Sequence, residues 1–146
     1  MTLERSCQSI GPRLRTASRL MTFAIEQRLG DLGISFTHFL VMKLLRETRV
    51  ATVTEIALQL GHGTGATTRV TDVLEARGLV VRTRSRTDRR IVDVALTPHG
   101  RTIVARADVA ANQFWHETLA HFSSEERAHL AAELDRLIGA FYRAIG

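Results

Sequence analysis

The sequence predicts a mainly helical fold that carries one small β-hairpin, and three observations support this fold class. Apolar residues recur at three- and four-residue steps over most of the 146 positions, as they do in amphipathic helices. Near the middle, two short helical stretches are joined by a glycine-containing turn. Two strand-like runs then follow, separated by an arginine-rich segment, and they predict the hairpin.

The first predicted helix covers about residues 3–29, where apolar side chains share one face. Gly11-Pro12 predicts a kink or a fresh helix start, with a separate turn before it. Ser35 is the predicted N-cap of the second helix, because its hydroxyl can accept a hydrogen bond from a first-turn amide. The apolar residues that follow Ser35 are so dense that this helix must be largely buried.

A capping-box pattern at residues 52–55 predicts the start of a short helix that runs through Leu60. A turn at residues 61–63 separates it from a further helix over Thr64–Arg77, which Gly78 ends. Two short helices joined in this way are typical of a helix-turn-helix.

The hairpin is predicted from two runs of β-favouring residues, Leu79–Thr83 and Arg90–Leu96. Thr97-Pro98 then supplies an N-cap and a first-turn proline for a long helix. Ser123 with Glu126 forms another capping box, which opens the last helix. A hairpin placed directly after a helix-turn-helix predicts a winged helix-turn-helix, with the hairpin as the wing.

The positive charge is concentrated in the wing. The chain has a formal net charge of +5, and all of it lies between Arg77 and Arg90, where six arginines stand with one acid, Asp88. A basic excess on one short segment indicates a polyanion that is bound at one place. A solvated charge run is the alternative.

Several classes of protein are excluded by what the sequence lacks. No apolar run is long enough to span a membrane and no signal peptide is evident, so we expect a cytoplasmic protein without a membrane partner. The single cysteine, Cys7, excludes an intramolecular disulfide and a cysteine-rich zinc site. His116, His121 and His129 lack the spacing of zinc ligands, so we expect no metal and no cofactor. No nucleophile motif indicates an enzyme.

The helix over Thr64–Arg77 has the pattern of a DNA-reading helix. At 100° per residue, one stripe is predicted to face the core, formed by Ala66, Val70, Val73 and Leu74. The opposite face is then small and hydroxyl-bearing, and it is formed by Thr64, Gly65, Thr68 and Thr71. Such a face fits the major groove, where threonine can contact bases or phosphates.

Arginines at the hairpin tip have the length and charge to enter a minor groove. Arg90 has an alternative role, because it can pair with Asp88 and stiffen the hairpin. The predicted DNA-binding residues are Thr64, Gly65, Thr67, Thr68, Arg69, Arg84, Arg86, Arg89 and Arg90.

Residues 53–100 closely resemble the multiple-antibiotic-resistance regulator (MarR) family, and the likeness extends over roughly residues 10–143. The matching segments are Thr-Glu-Ile-Ala at 54–57, Thr-Thr-Arg at 67–69, Leu-Glu-Ala-Arg-Gly-Leu-Val at 74–80, Asp-Arg-Arg at 88–90 and Leu-Thr-Pro-His-Gly at 96–100. The resemblance implies a regulator that represses genes by binding pseudo-palindromic double-stranded DNA. It also implies release of the DNA when a small-molecule inducer binds.

The resemblance implies one domain over residues 1–146 that forms a homodimer. Residues 35–96 would form the winged lobe, and residues 3–29 and 97–145 the dimerisation helices. The sequence supports a dimer independently, because the apolar stripes of the terminal helices are too extensive for a small monomer to cover.

An inducer pocket between the first, second and fifth helices is a further implication of the resemblance. Its predicted lining is Arg19, His38, Met42 and Trp115. Three other interpretations remain open at this stage. They are an oxidant sensor that uses Cys7, a winged helix that binds only other proteins, and a non-specific architectural DNA binder.

Overall fold

A computed structural model describes the backbone of residues 2–85 and 87–146 and the side chains of residues 9–85 and 87–146. Its elements are α1 (Thr2–Leu29), a 3₁₀ turn (Gly30–Leu32), α2 (Phe36–Thr48), β1 (Ala51–Thr52), α3 (Val53–Leu60), α4 (Thr64–Ala76), β2 (Val80–Arg84), β3 (Val92–Leu96), α5 (Pro98–Thr118) and α6 (Ser124–Ile145). The predicted fold class, mainly α with a small β-hairpin, is confirmed.

The chain divides into two compact units, and the boundary falls within α5. The first unit ends at Ala111, and the second comprises Asn112–Gly146. The predicted division into a winged lobe and dimerisation helices stays a prediction. No helix in the described part of the chain is long and apolar enough to cross a membrane.

The first helix is continuous where the sequence predicted a break. α1 runs from Thr2 to Leu29 with Pro12 inside it, so the separate turn and the fresh helix start predicted at Gly11-Pro12 are wrong, and the kink stays a prediction. Proline removes one amide donor from the helical ladder and costs stability there. Only the bond of the proline's own amide is lost, so the helix extends on both sides of Pro12.

Capping explains where the next helices begin and end. The Ser35 hydroxyl accepts from the His38 amide, and the His38 side chain accepts in return from the Ser35 amide. Thr52 and Glu55 form the same reciprocal pair at α3. Gly61 ends α3 in the left-handed conformation, at a φ of 65°. The caps predicted at Ser35 and at Thr52 are therefore confirmed.

The hairpin belongs to a three-stranded antiparallel sheet in the order β1-β3-β2. Val80 lies opposite Leu96, and Arg84 lies opposite Val92 at the last rung of the hairpin. β1 was not predicted, because two residues are too few to show alternation. Through the pairing of Ala51 with Val94, β1 attaches the hairpin to the start of the helix-turn-helix.

A close approach between α5 and the start of the hairpin explains the glycine of the Leu-Thr-Pro-His-Gly segment. The Thr97 hydroxyl donates to the Gly78 carbonyl at 2.6 Å and accepts from the Gly100 amide at 2.9 Å. A Cβ on Gly100 would lie 1.9 Å from the Leu79 carbonyl oxygen, so only glycine fits there.

The second unit ends with an amphipathic helix. The Ser123 hydroxyl accepts from the Glu126 amide and the Glu126 carboxylate accepts from the Ser123 amide, so the predicted capping box of α6 is confirmed. One face of α6 carries exposed large apolar side chains at helical spacing, between 41 and 81% exposed. They are Leu130, Leu134, Ile138, Phe141 and Ile145.

Candidate nucleic-acid interface

The orientation of α4 differs from the predicted one. Thr67 and Thr71 are buried, at 1% and 0% exposure, whereas Ala66 and Val73 are exposed. Burial of the two threonines is tolerated because their hydroxyls donate to helix carbonyls, Thr67 to Gly63 at 3.1 Å and Thr71 to Thr67 at 3.0 Å. Each threonine then packs into the core as a small apolar side chain, so Thr67 does not belong to the outer face.

The outer face of the N-terminal half of α4 is formed by Thr64, Gly65, Thr68 and Arg69, all of them exposed. The first helical hydrogen bond runs from the Thr67 amide to the Gly63 carbonyl at 3.0 Å. The amides of the preceding first-turn residues therefore point out of the helix start, where the positive end of the helix dipole also lies. Such a helix start favours an anion.

Arg77, at the C-terminal end of α4, is used to hold the fold together. Its guanidinium donates to the Leu32 carbonyl at 3.0 Å and also to the Gly33 carbonyl. Gly33 has a φ of 64° and ends the 3₁₀ turn that follows α1. Arg77 thus ties the end of α4 to the junction between α1 and α2.

Arg82, in β2, is tied to α4. Its guanidinium donates to Asp72 at 2.6 Å, to Glu75 at 3.1 Å and to the Thr71 hydroxyl at 2.5 Å. The Arg82 side chain is only 23% exposed. A partly buried charge needs partners, and two carboxylates of α4 supply them. This contact fixes the hairpin against α4.

The arginines at the hairpin tip have the opposite arrangement. Arg84, Arg89 and Arg90 are exposed, and among the described residues their guanidinium groups have no hydrogen-bond or ion-pair partner. The fourth predicted contact of the tip, Arg86, lies outside the described residues. The tip therefore presents positive charge to the solvent.

Asp88 stiffens the tip in a way that the sequence did not indicate. Its carboxylate accepts from the backbone amide of Arg90 at 2.9 Å, and its carbonyl accepts from the Ile91 amide at 3.0 Å. The predicted pairing with the guanidinium of Arg90 is not the bond that forms. The Arg90 side chain stays available because Asp88 is used as a turn residue.

The residues predicted for an inducer pocket have different surroundings. Met42 is fully buried in α2. The Nδ1 atom of His38 accepts from the Ser35 amide at 3.1 Å. Arg19 is exposed on α1, and Trp115 is 42% exposed in the second unit, where its ring lies edge-on to Phe114. Met42 and His38 are thus occupied by packing and capping, and the pocket stays a prediction.

Burial lowers the pKa of His38 below its ordinary value, and the nearby positive charge of Arg77 lowers it further. Both effects favour the neutral ring, which is the form that can accept from the Ser35 amide. His38 is therefore a structural residue in its neutral state.

The other candidate sensing residue is the single cysteine of the sequence. Cys7 lies in α1 but outside the residues whose side chains the structure describes. Within the described residues, no group of three His, Cys, Asp or Glu side chains is placed to hold a metal ion. Tyr142, the only tyrosine of the sequence, is exposed on α6.

Comparison with known proteins places this winged helix in a family. Residues 34–92 match the model of the MarR family. The HTH-type transcriptional regulator PrsX of Escherichia coli is 31% identical over 113 residues, which are 76% of this chain and 68% of PrsX. The chain belongs to the MarR family.

Solved MarR-family structures share the architecture over most of their length. A mutant of MarR from Escherichia coli, complexed with operator DNA, superposes with a TM-score of 0.81 at 26% identity, over 88% of this chain and 92% of that one. The transcriptional regulator BldR from Sulfolobus solfataricus superposes with a TM-score of 0.83 at 27% identity, over 96% of this chain and 99% of that one.

The structural roles of Arg77 and Arg82 in this MarR-family fold were not predicted, because both residues were counted in the basic segment. One signal was available for Arg82. Asp72 and Glu75 are three residues apart on α4 and therefore share a face, and a partly buried arginine on the adjoining strand is their natural partner. No comparable signal existed for Arg77, since its partners are backbone carbonyls 44 and 45 residues away.

Proposed function

We propose that this chain is a homodimeric repressor that binds a specific, pseudo-palindromic operator in double-stranded DNA. The N-terminal half of α4 enters the major groove, and the hairpin tip reaches the adjoining minor groove. The observation that carries the proposal is the set of outward, unpartnered guanidinium groups of Arg84, Arg89 and Arg90 in the described part of the tip. A module that bound only proteins would have no need of such a tip.

The structural likeness to a MarR protein complexed with operator DNA supports DNA as the partner of this chain. The composition of the surface supports it too. α4 presents small side chains beside a single exposed cation, Arg69, over its first two turns. Small side chains permit close approach to base edges, while the arginines of the tip neutralise phosphate charge.

The exposed stripe of α6 supports a homodimer. Its members, which include Leu134 and Ile138, are roughly half exposed in the single chain, and five large apolar residues in one stripe form a patch that monomers rarely leave uncovered. A two-fold axis would place two recognition helices about 34 Å apart, one turn of DNA. This spacing matches a pseudo-palindromic site.

The experiment that tests the proposal measures fluorescence anisotropy with the chain's own upstream intergenic DNA and with a scrambled duplex, over a range of salt concentrations. We expect the native fragment to bind far more tightly, at two chains per site. Arg89→Gln should weaken binding to both duplexes and reduce the salt slope by up to about two units per dimer, one for each wing.

The matched control is Arg136→Gln, which removes an exposed arginine of α6 that pairs with Glu133 at 2.7 Å. This variant should keep the parent's affinity and salt slope. Equal, weak binding of both duplexes by the parent would instead favour an architectural role. Absence of binding at low salt would favour the protein-interaction module.

Release by a small molecule is the finer part of the proposal, and the resemblance to the family supports it. Of the predicted pocket residues, Arg19 is exposed on α1 and can therefore contact a ligand. A compound that lowers operator affinity in the same assay should lose its effect on Arg19→Ala, while the affinity of this variant for DNA stays unchanged. An effect that persists would exclude Arg19 from the pocket.

A further inference from the structure

Two threonines one helical turn apart on α4 differ in what their hydroxyl protons do. The Thr68 hydroxyl donates to the Thr64 carbonyl at 2.8 Å. The Thr64 hydroxyl has no hydrogen-bond partner among the described residues. Both side chains are exposed on the N-terminal half of the helix. The same residue type therefore offers two different sets of hydrogen-bonding groups to a ligand.

This difference determines which parts of DNA each hydroxyl can bind. Phosphate oxygens only accept hydrogen bonds, so a threonine must supply a proton to bind one. Thr64 has a proton to supply. Thr68 has already given its proton to the helix and keeps only its acceptor lone pairs. In the major groove the hydrogen-bond donors are the amino groups of adenine N6 and cytosine N4, and both belong to bases.

We infer that Thr68 is a specificity-determining residue that accepts from a base amino group at an A·T pair, whereas Thr64 binds the phosphate backbone. An A·T pair fits Thr68 better than a G·C pair because it offers the adenine amino group together with the thymine methyl, against which the threonine methyl can pack. This inference rests on the proposed binding of DNA and assigns roles within that interface.

The neighbouring Arg69 differs from Thr68 in the hydrogen-bonding groups that it offers to DNA. Its guanidinium has only donors, is exposed, and has no partner among the described residues. It suits the acceptors of guanine or of phosphate. Arg69 therefore cannot substitute for Thr68 as the acceptor. Loss of the Thr68 oxygen should leave the amino group of that base without a hydrogen-bond acceptor.

The test changes each base pair of one operator half-site in turn and measures the affinity of the parent and of four variants. For the parent we expect one position where A·T is preferred to G·C by about tenfold. Thr68→Val keeps the branched shape but lacks the acceptor, and it should reduce this preference to about threefold or less. Thr68→Ser keeps the acceptor and should retain most of it.

Thr64→Val should behave differently, because it removes a phosphate contact. It should weaken binding by a similar factor on every half-site, with base preferences unchanged. Thr102→Val on α5 is the matched control for the helix itself. Thr102 is exposed and its hydroxyl donates to the Pro98 carbonyl at 3.3 Å, as Thr68 does to Thr64. This control should leave affinity and preference as in the parent.

A modified base separates the amino contact from the methyl contact. An operator with purine in place of adenine at the selected position lacks the N6 amino group, and it should bind the parent more weakly while Thr68→Val binds it as before. An operator with uracil in place of the paired thymine lacks the methyl group. It should weaken the parent and Thr68→Val to a similar extent.

The outcomes distinguish this inference from the proposed function. If the parent does not prefer its operator to scrambled DNA, the proposed function fails. If the parent does prefer it, but Thr68→Val loses affinity equally on every half-site or loses none, the assignment of Thr68 is overturned. Circular dichroism of each variant shows whether the helix content has been kept.

Discussion

The root and the tip of the wing use the same residue type for opposite purposes. At the root, defined by Arg77 and Arg82, each guanidinium is engaged by carbonyls or carboxylates of the fold. At the tip, the described arginines Arg84, Arg89 and Arg90 face solvent. A run of arginines in a sequence is therefore not one surface, because the partners available at each position decide what the charge does.

Geometry explains where the root ends. Arg82 pairs across the hairpin with Val94 and lies alongside α4, where Asp72 and Glu75 are within reach. Arg84 lies opposite Val92 at the last rung, two residues further along the strand. An acid within reach of the guanidinium converts a cation into a structural contact, and the described acids of α4 pair with Arg82 rather than with the tip.

The largest expected effect comes from Gly100, where α5 approaches the start of the hairpin. Gly100→Ala would place a Cβ 1.9 Å from the Leu79 carbonyl oxygen and 2.9 Å from its carbon, and backbone atoms cannot move aside as a flexible side chain can. We expect the free energy of unfolding to fall by at least about 2 kcal/mol, as measured by urea denaturation.

Gly65→Ala is the control for the glycine itself. Gly65 lies in α4 and a Cβ there meets no atom within 4 Å, so this change should stabilise the helix by about 0.5–1 kcal/mol. Equal stability of Gly100→Ala and the parent would show that α5 does not approach the hairpin so closely.

The next effect separates the root from the tip on one strand. Arg82→Gln removes the bonds to Asp72, Glu75 and Thr71 and leaves two carboxylates without their cation, so we expect a loss of about 1–3 kcal/mol in the free energy of unfolding. Arg84→Gln makes the same chemical change at the tip and should stay within about 0.5 kcal/mol of the parent.

The affinities for operator DNA extend this comparison. Arg84→Gln should weaken DNA binding and reduce its salt dependence although the fold is intact. Arg82→Gln should keep the salt slope, because a cation already neutralised by Asp72 and Glu75 releases few counterions. If the two variants exchanged these phenotypes, the division between root and tip would be wrong.

The fold was predictable from sequence wherever a local signal was strong. Ser35, Thr52 and Ser123 each begin a helix as their capping patterns predicted, because a cap involves residues only three positions apart. β1 was missed, since a strand of two residues forms only because β3 lies beside it. The separate turn predicted before Pro12 is wrong for a related reason, since the helical preference of a long amphipathic segment exceeds the cost of one proline.

The candidate site was predictable in its elements but not in its orientation. The predicted helical face failed at Thr67 and Thr71, because residue type was taken as a guide to exposure. A threonine whose hydroxyl bonds to the preceding turn can be buried. The partners that form in the folded chain also decide which arginines are free to bind DNA. A count of cations in the sequence gives no information about a backbone partner such as the Leu32 carbonyl.

The smallest expected effect concerns pH and the residue beside the root, His38. Its pKa lies below the ordinary value of 6.5 because of burial and then of Arg77. Between these two pKa values the unfolded chain binds more protons than the folded one, so the free energy of unfolding falls as the pH drops through about 6.5 and stops falling below the folded-state pKa.

His38→Gln tests this, because glutamine also accepts in a capping box but does not titrate. Urea midpoints of parent and variant should be similar at pH 8 and diverge below about pH 6.5, with the variant losing less stability. The other five histidines are common to both chains, so their titration cancels in the difference. Parallel curves would mean that His38 is protonated as readily in the folded chain as in the unfolded one. Neither the contact of its Nδ1 atom with Ser35 nor the charge of Arg77 would then favour the neutral ring in the folded chain.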